Sequence, residues 1–447
     1  MSTTDTAPGM IVMPEHADWD DARLAWNLAV DQQPAAIARP RSAAEVAEAV
    51  AHARAQGLRV APQATGHAAA ALGPLDGTLL VKLDQMRKVA IDPERRLARV
   101  EGGAIWGDVT AAAAEHGLAG LAGSSPDVGV AGYTLGGGMS WLARRHGFAA
   151  NHVHAVELVD ASGGIVRADA DQNSELFWAL RGGGGSFGVV TAIEFALFPL
   201  TEVFAGAMVW PIERTAEILS AWRRWIEVVP DEVTSLGRVL HLPPIPEIPE
   251  PLRGRSLVAV EVACLLDPHA GAALVEPLRA LGPDMDTTGV IPVVALQHLH
   301  MDPEHPVPGV GEGTVLDDLD GNAIDAIVRC VGPGSETSIL SLEMRHLGGA
   351  LGRAEPGQGA IGTIDGFGVY GVGIAPVPQA AAAIAADLAA VMEALEPWHG
   401  RRTYMNFCES RTDCDLLFGV DGHARLRAAK AAVDPDAVFL ANHPIVA

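Results

Sequence analysis

The sequence predicts an α+β fold of more than one domain: one part built on glycine-rich turns, another on a sheet with helices. Three observations point there. Strand and helix signals are interleaved without the regular period of a doubly wound sheet. Glycine-rich turns recur at 61–67, 123–138 and 181–188. A length of 447 residues with 49% apolar side chains gives ample core for two or three domains and excludes a disordered chain.

The elements follow from local signals. Residues 19–57 open with helical patterning, in which Ser42-x-x-Glu45 is a capping box, Val46 and Val50 share a face and Gly57 is the stop. Leu58 to Pro62 reads as a buried strand, and strand signals recur at 78–82, 87–90, 97–101 and 155–160. Helices are predicted at 104–116, ended by Gly117, and at 174–180, with a strand at 188–196. The proline-rich segment 241–251 and the Gly/Pro stretch 302–314 read as loops. Beyond residue 200 the pattern gives strands at 256–264, 337–344 and 368–374 and helices at 268–281, 321–331 and 378–395. A helix at 422–432 and Asp434-Pro435 follow. The expected domains are 1–199, 200–395 and a C-terminal segment 396–447.

The stretch Ala61-Pro-Gln-Ala-Thr-Gly-His67 carries the first chemistry. Small residues let the backbone approach a ligand, and consecutive N–H groups in such a turn form an anion-binding concavity. A histidine after it can be an acid, a metal ligand or a nucleophile toward an electrophilic cofactor. The glycines at 129, 132, 136, 137 and 138 suit a wall against a flat ring and a pyrophosphate. Arg181-Gly-Gly-Gly-Gly-Ser-Phe-Gly188 leads into a strand, whereas a nicotinamide fingerprint leads into a helix, so that reading is set aside.

These segments resemble the FAD-binding domain of the vanillyl-alcohol oxidase / p-cresol methylhydroxylase (PCMH) superfamily. The family's Arg-Gly-Gly-Gly-His turn resembles Gln63 to His67, its Gly-Gly-Ala-x-Trp-Gly-Asp resembles Gly102 to Asp108, and its Pro-x-Val-Gly-Val-Gly-Gly-x-x-x-Gly-Gly-Gly resembles Pro126 to Gly138, followed by Arg145, Gly147 and Asn151. At the C-terminus, Tyr404/Asn406, Arg425/Leu426/Lys430, Asp434/Pro435 and Phe439/Asn442 are similar to the berberine-bridge-enzyme-like branch, while 200–395 matches only loosely.

The resemblance implies a PCMH-type FAD-binding domain of two α/β subdomains plus a substrate domain with an antiparallel sheet covered by helices, and an FAD-dependent oxidoreductase. It implies FAD contacts from Gln63, Ala64, Thr65, Gly66 and Ala68 around His67, and from Ser125, Pro126, Val128, Gly129, Gly132, Tyr133, Gly136, Gly137 and Gly138. Further contacts are implied from Asn151, Val153, Gly185, Gly188, Val190 and Asn442. His67 would bond the flavin 8α-methyl. Doubly attached members carry cysteine in a Gly-x-Cys-Pro motif; here Ser125 holds that place, so a single covalent bond is expected. The first turn also lacks the usual arginine and two of the glycines.

On the substrate side, sugar-oxidising members use the tyrosine of the Tyr-x-Asn motif as base, which makes Tyr404 the first candidate and places Asn406 near flavin or substrate. A phenol titrates near 10, so as a base it must be depressed by neighbours. In Glu343-Met-Arg345-His346, alternation puts Glu343 and Arg345 on one face, either contacting substrate or paired with each other. His298, His300, Asp302 and His305 lie in a proline-rich loop with no metal-type spacing and read as loop or pocket lining. Tyr133, Tyr370 and Tyr404 are the only tyrosines, too few for a glycan-stacking platform, and apolar residues at 287–296 hint at a less polar substrate.

A net charge of −24 argues against nucleic acid and anionic membrane surfaces as partners. The apolar runs are broken before the ~18 residues of a membrane span. Four scattered cysteines suggest neither a disulfide framework nor a metal site. The N-terminal MSTTDTAPGM lacks a basic region and an apolar core, so a cytoplasmic address is expected. The alanine- and arginine-rich bias fits a GC-rich genome and specialised metabolism. The expected activity is hydride transfer from a small organic molecule to FAD with dioxygen as acceptor. A flavin dehydrogenase serving a partner and a non-catalytic flavin-binding protein stay open, as does the oligomeric state.

Overall fold

A computed structural model of the protein describes residues 10–446. Residues 1–9, on which the expected address rests, lie outside it. Among the described residues, three larger sheets organise the chain. The first has four strands in the order Ile11–Val12, Ala36–Ala38, Thr78–Lys82, Arg59–Gln63, the last two pairs parallel. The second has five antiparallel strands in the order Val89–Asp92, Leu97–Glu101, Val189–Ala196, Val153–Val159, Ile165–Asp169. The third, antiparallel throughout, runs Met285–Asp286, Glu202–Pro211, Ser256–Cys264, Val233–His241, Ser341–His346, Phe367–Ile374, Gly309–Leu316, with Gly289–Pro292 also on Glu202–Pro211. The α+β class is that of the structure.

The large sheet buries one face under four helices. Ile218, Leu219 and Trp222 of Thr215–Trp225, Val275 and Leu278 of Pro268–Arg279, Ile324 and Ile327 of Gly321–Val331, and Ile384 and Leu388 of Pro378–Leu395 pack on Val239, Val258, Val260, Leu342 and Val369. Alternation then turns Arg238, Leu240, Glu261, Glu343, Arg345, Tyr370 and Val372 to the opposite face, toward the glycine-rich turns. The helical run Pro378–Trp398 is long and apolar enough by length and composition for a membrane span, its alanines supplying much of the hydropathy; the Ile384, Leu388, Val391 and Leu395 face of Pro378–Leu395 lies against the sheet.

Several expectations are corrected. The 19–57 helical patterning resolves into a short helix Trp19–Ala22, the strand Ala36–Ala38 and the helix Ala43–Gln56, capped by Ser42 Oγ accepting from the Glu45 N–H (3.2 Å) and ended by Gly57 at φ +68. The loop expected at 302–314 gives way to a strand from Gly309. The strands expected at 87–90 and 337–344 begin later, at Val89 and Ser341.

The C-terminal segment returns to the first sheet. The Val60 N–H donates to Val438 O and the Leu440 N–H to Val60 O, each at 2.8 Å. Lys430, fully buried, donates to Ser186 O (2.6 Å) in the third glycine-rich turn and pairs with Asp434. Asp434 in turn accepts from the N–H groups of Val438 and Phe439.

Candidate functional site

One cavity of about 760 Å³ runs from the His67 turn, past the second and third glycine-rich turns, to the open face of the large sheet. That is ample for a sizeable ligand. The strand Arg59–Gln63 delivers the His67 turn, which reverses at Gly66 with φ +91. The Thr65 hydroxyl lies 2.7 Å from His67 Nδ1, and Trp26 stacks on the ring at 4.0 Å with planes 17° apart. Asp127 Oδ1 approaches His67 Nε2 to 3.5 Å, yet that nitrogen is buried without a hydrogen-bond partner. The carboxylate is close enough for charge to act but poorly placed for a hydrogen bond. Asp127 also accepts from Ser125 Oγ (2.8 Å) and the Trp26 indole N–H. Burial works to raise its pKa, but the nearby His67 ring and the hydrogen bonds from Ser125 and Trp26 hold it below the usual carboxylate range.

The second turn is backed by Gly102 to Asp108: the Trp106 N–H donates to Val128 O (3.0 Å) and the Gly107 N–H to Pro126 O (2.6 Å). A Cβ on Gly132 would meet nothing within 4 Å, and one on Gly185 only Ala441 at 3.9 Å. Both glycines line the cavity, so a side chain there would enter it. A Cβ on Gly136 would instead fall 1.8 Å from Asn406 Oδ1.

At the far end sit two phenols. Tyr404 oxygen accepts from the Met139 N–H (3.0 Å) and from Asn406 Nδ2 (3.1 Å), and no described protein group accepts its own proton. Burial raises its pKa to about 12, against those donors and the Arg345 charge. This reverses the expectation of a depressed phenol. Tyr370 donates to Glu409, whose pKa is raised, by burial first and the nearby Glu312 next.

Beneath Arg345 lies a buried charge network. His300 bridges Glu261 (Nδ1 to Oε2, 2.6 Å) and Glu343 (Nε2 to Oε2, 2.8 Å). Arg238 Nη1 donates to Glu261 Oε1 (3.2 Å), and Arg345 Nη2 lies 2.9 Å from Glu343 Oε1. Burial and Arg238 press the His300 pKa down, yet the carboxylates of Glu261, Asp302 and Glu343 win and raise it to about 9. Arg345 keeps Nε without a partner and lines the cavity.

Of the residues named from sequence, the cavity wall brings together Gln63, Ala64, Thr65, Gly66, His67, Ala68, Ser125, Val128, Gly129, Gly132, Tyr133, Gly136, Gly185, Gly188, Val190, Arg345, Tyr404, Asn406 and Asn442. Six lie off it. Pro126 gives its carbonyl to Gly107, while Gly137 and Gly138 accept from Ala150 and Ala149 at the back of the turn. Asn151 accepts from the Gly359 N–H (3.0 Å), and Val153 is in the core. Glu343 is enclosed by Arg345 and His300. The 287–296 stretch is also off the wall, with Val293 and Leu296 packed near Trp141. The apolar lining comes instead from Leu240, Leu242, Ile248, Leu252 and Val372. Trp26, Asp127, Arg238, Glu261 and Glu409 were not foreseen. A lone charge inside each apolar strand, Arg238 in Val233–His241 and Glu261 in Ser256–Cys264, was the available signal.

Residues 34–169 match the FAD binding domain family. The chain is 35% identical over 211 residues to (R)-6-hydroxynicotine oxidase of Paenarthrobacter nicotinovorans, 47% of this chain and 46% of that one. It is 35% identical over 209 residues to glucooligosaccharide oxidase of Sarocladium strictum, 46% of this chain and 40% of that one. The chain thus spans about half the length of these curated relatives in the match. Over 98% of both chains its fold superposes on 6-hydroxy-D-nicotine oxidase of Arthrobacter nicotinovorans at a TM-score of 0.84 and 25% identity. The Physcomitrella patens BBE-like 1 structure matches at 0.85 and 22%, covering 97% of this chain and 96% of that one.

Proposed function

From the premise that this chain carries an FAD binding domain on the fold of the berberine-bridge-enzyme-like FAD-linked oxidoreductases, we propose that it is an FAD-dependent oxidase of a small organic substrate. The observation that carries this is the cavity that joins the His67 turn and the open glycine wall to a buried polar end under the large sheet. The donor set fits a flavin: a partnerless His67 Nε2, two glycines whose side-chain positions open into the cavity, and the Gly-rich backbone. When bound, the flavin supplies the hydride acceptor and passes the electrons to dioxygen, giving hydrogen peroxide. His67 provides one covalent tether at the 8α position, and Ser125 provides none.

The chain's own residues orient substrate and handle its proton. Leu240, Leu242, Ile248 and Leu252 exclude water from an apolar body. Arg345, with Nε unpaired, and Tyr404, with its proton unclaimed, offer donors to one oxygen or nitrogen of the substrate. The two N–H donors on Tyr404 oxygen stabilise the negative charge that would form if Tyr404 gives up its proton and takes the substrate's.

Three readouts test this. Acid-precipitated protein stays yellow and His67→Ala loses that retained flavin; native protein that releases all its FAD in acid refutes the tether. Substrate turnover in air releases peroxide; dye reduction without peroxide makes the protein a dehydrogenase. A bound flavin that no reducing substrate bleaches makes it a binding protein.

A further inference from the structure

We infer that Arg345 is a specificity-determining residue and that the substrate is an apolar organic acid whose carboxylate it binds. The inference rests on the oxidase reading above and deepens it by naming the substrate class. Arg238 and Arg345 are the arginines on the cavity wall, and their donors differ. Those of Arg238 are committed within the fold: Nε donates to Ser341 Oγ (2.7 Å), and Nη1 to His300 O (2.7 Å) and Glu261 Oε1 (3.2 Å). Among the described contacts Arg345 commits Nη2, to Glu343, while its Nε is buried without a partner. The side chain is 7% exposed, and its guanidinium lies over the rings of Trp141 and Phe407, 5.7 and 5.4 Å from their centroids. Arg223 and Arg402 also leave Nε unpaired, but neither lines the cavity. Arg345 is thus a buried cation with an unpaired donor at the place where a substrate must sit.

Charge points the same way. The buried network sets three cations, Arg238, His300 and Arg345, against two carboxylates, Glu261 and Glu343. Asp302, a third carboxylate nearby, is 31% exposed, accepts from Ser124 Oγ (3.0 Å) and has Arg238 Nη2 as its ion-pair partner at 3.9 Å. Glu409 accepts the Tyr370 hydroxyl proton, and burial favours its own protonated form. A buried charge with an unpaired donor is unfavourable until an opposite charge and a hydrogen-bond acceptor reach it. A carboxylate supplies both, in the planar geometry that a guanidinium edge matches. An alcohol or an amide supplies the acceptor without the charge. Leu240, Leu242, Ile248, Leu252 and Val372 on the same cavity wall suit an apolar body behind that head group.

The probes are benzoate and cinnamate, each compared with its primary amide, which has nearly the same shape and no charge. Binding to the full flavin-loaded chain is read by equilibrium dialysis. In wild type each acid should bind more tightly than its amide by about tenfold or more, a difference of about 1.4 kcal/mol per factor of ten. That comparison needs no variant. Arg345→Met should remove most of the preference by weakening the acids and sparing the amides, and Arg345→Lys, which keeps the charge, should recover part of it. Because Arg345→Met leaves Glu343 with one cation fewer, Arg345→Met/Glu343→Gln, which removes the pair together, is measured beside it and should lose the preference equally. Wild-type protein that binds neither acid, or binds acids no more tightly than amides, overturns the inference. So does an acid preference that survives in both variants, or a folded variant in which acids and amides weaken alike. Dialysis reads the charge preference whether or not the flavin is reduced, so a flavin that no substrate bleaches overturns the oxidase reading alone.

Discussion

Tyr404 and Glu409 reach the same cavity as two acids whose protonation is set in different ranges. Burial raises the phenol to about 12 and also lifts the Glu409 carboxyl above its usual value. Under the proposed oxidase function, each predicts a different acid limb in the pH profile of flavin reduction by substrate. If Tyr404 is the base, activity climbs through the alkaline range, because the fraction of phenolate grows toward about 12. If Glu409, through Tyr370, takes the proton, the limb lies below that of Tyr404, displaced upward from the usual carboxylate range by burial, and activity is flat above it. The donors on Tyr404 oxygen favour the first outcome. Tyr404→Phe should then cost roughly 10²–10⁴ in the reduction rate and remove the alkaline limb, with FAD content unchanged. Glu409→Gln should leave the limb in place; a limb that disappears with Glu409→Gln and survives Tyr404→Phe assigns the base to Glu409.

At the scale of elements, the C-terminal helix Val420–Val433 shows how much of this molecule was legible. Its Lys430 and Asp434 could be read as a motif, but the reason for the motif is tertiary: the pair is buried and pins the helix to Ser186 in the third glycine-rich turn. Lys430→Met leaves the Asp434 carboxylate uncompensated inside the protein and should lower stability by about 3–5 kcal/mol, read as a fall in the urea midpoint, while Lys430→Met/Asp434→Asn should recover part of it. Equal stability of the single and double variants would remove the pair from the account of the fold. The capping box at Ser42 and the helix stop at Gly57 were local and legible. The strand Gly309–Leu316 was not, because its glycines look like loop signals. A Cβ on Gly311 would lie 2.3 Å from Tyr370 Oη and one on Gly313 2.9 Å from Phe407 Cβ, so glycine there answers to neighbours far away in sequence. The helix Thr215–Trp225 was readable from Ile218, Leu219, Trp222 and Trp225 at helical spacing and was missed. In the site, the turns were legible as short motifs, whereas Arg238, Glu261 and His300 become one network only when the strands pair.

Across the whole molecule, the buried histidines make stability depend on pH in two opposite ways. His300 is held protonated by Glu261 and Glu343, with a pKa of about 9 in the folded state against an ordinary 6.5. Below about pH 6.5 both states are protonated there and its contribution is complete; between 6.5 and 9 the folded state holds more protons than the unfolded chain, so stability falls as pH rises. The shift corresponds to roughly 3 kcal/mol at most. His146 and His346 behave in the reverse sense: burial, with the neighbouring cations, lowers them to about 4 and about 3. They are neutral in the fold, so their contribution is complete above 6.5 and is lost as acid charges the unfolded chain first. Stability should therefore peak near pH 6.5 and decline on both sides. Urea unfolding of the wild type between pH 4 and 9 reads both limbs. His300→Gln should be less stable at pH 6.5, because Glu261 and Glu343 lose the cation between them, and should lose the decline between pH 7 and 9 while keeping the acid limb. An alkaline decline as steep in His300→Gln as in wild type would assign that limb to other groups and separate the charge network under the cavity from the stability of the molecule.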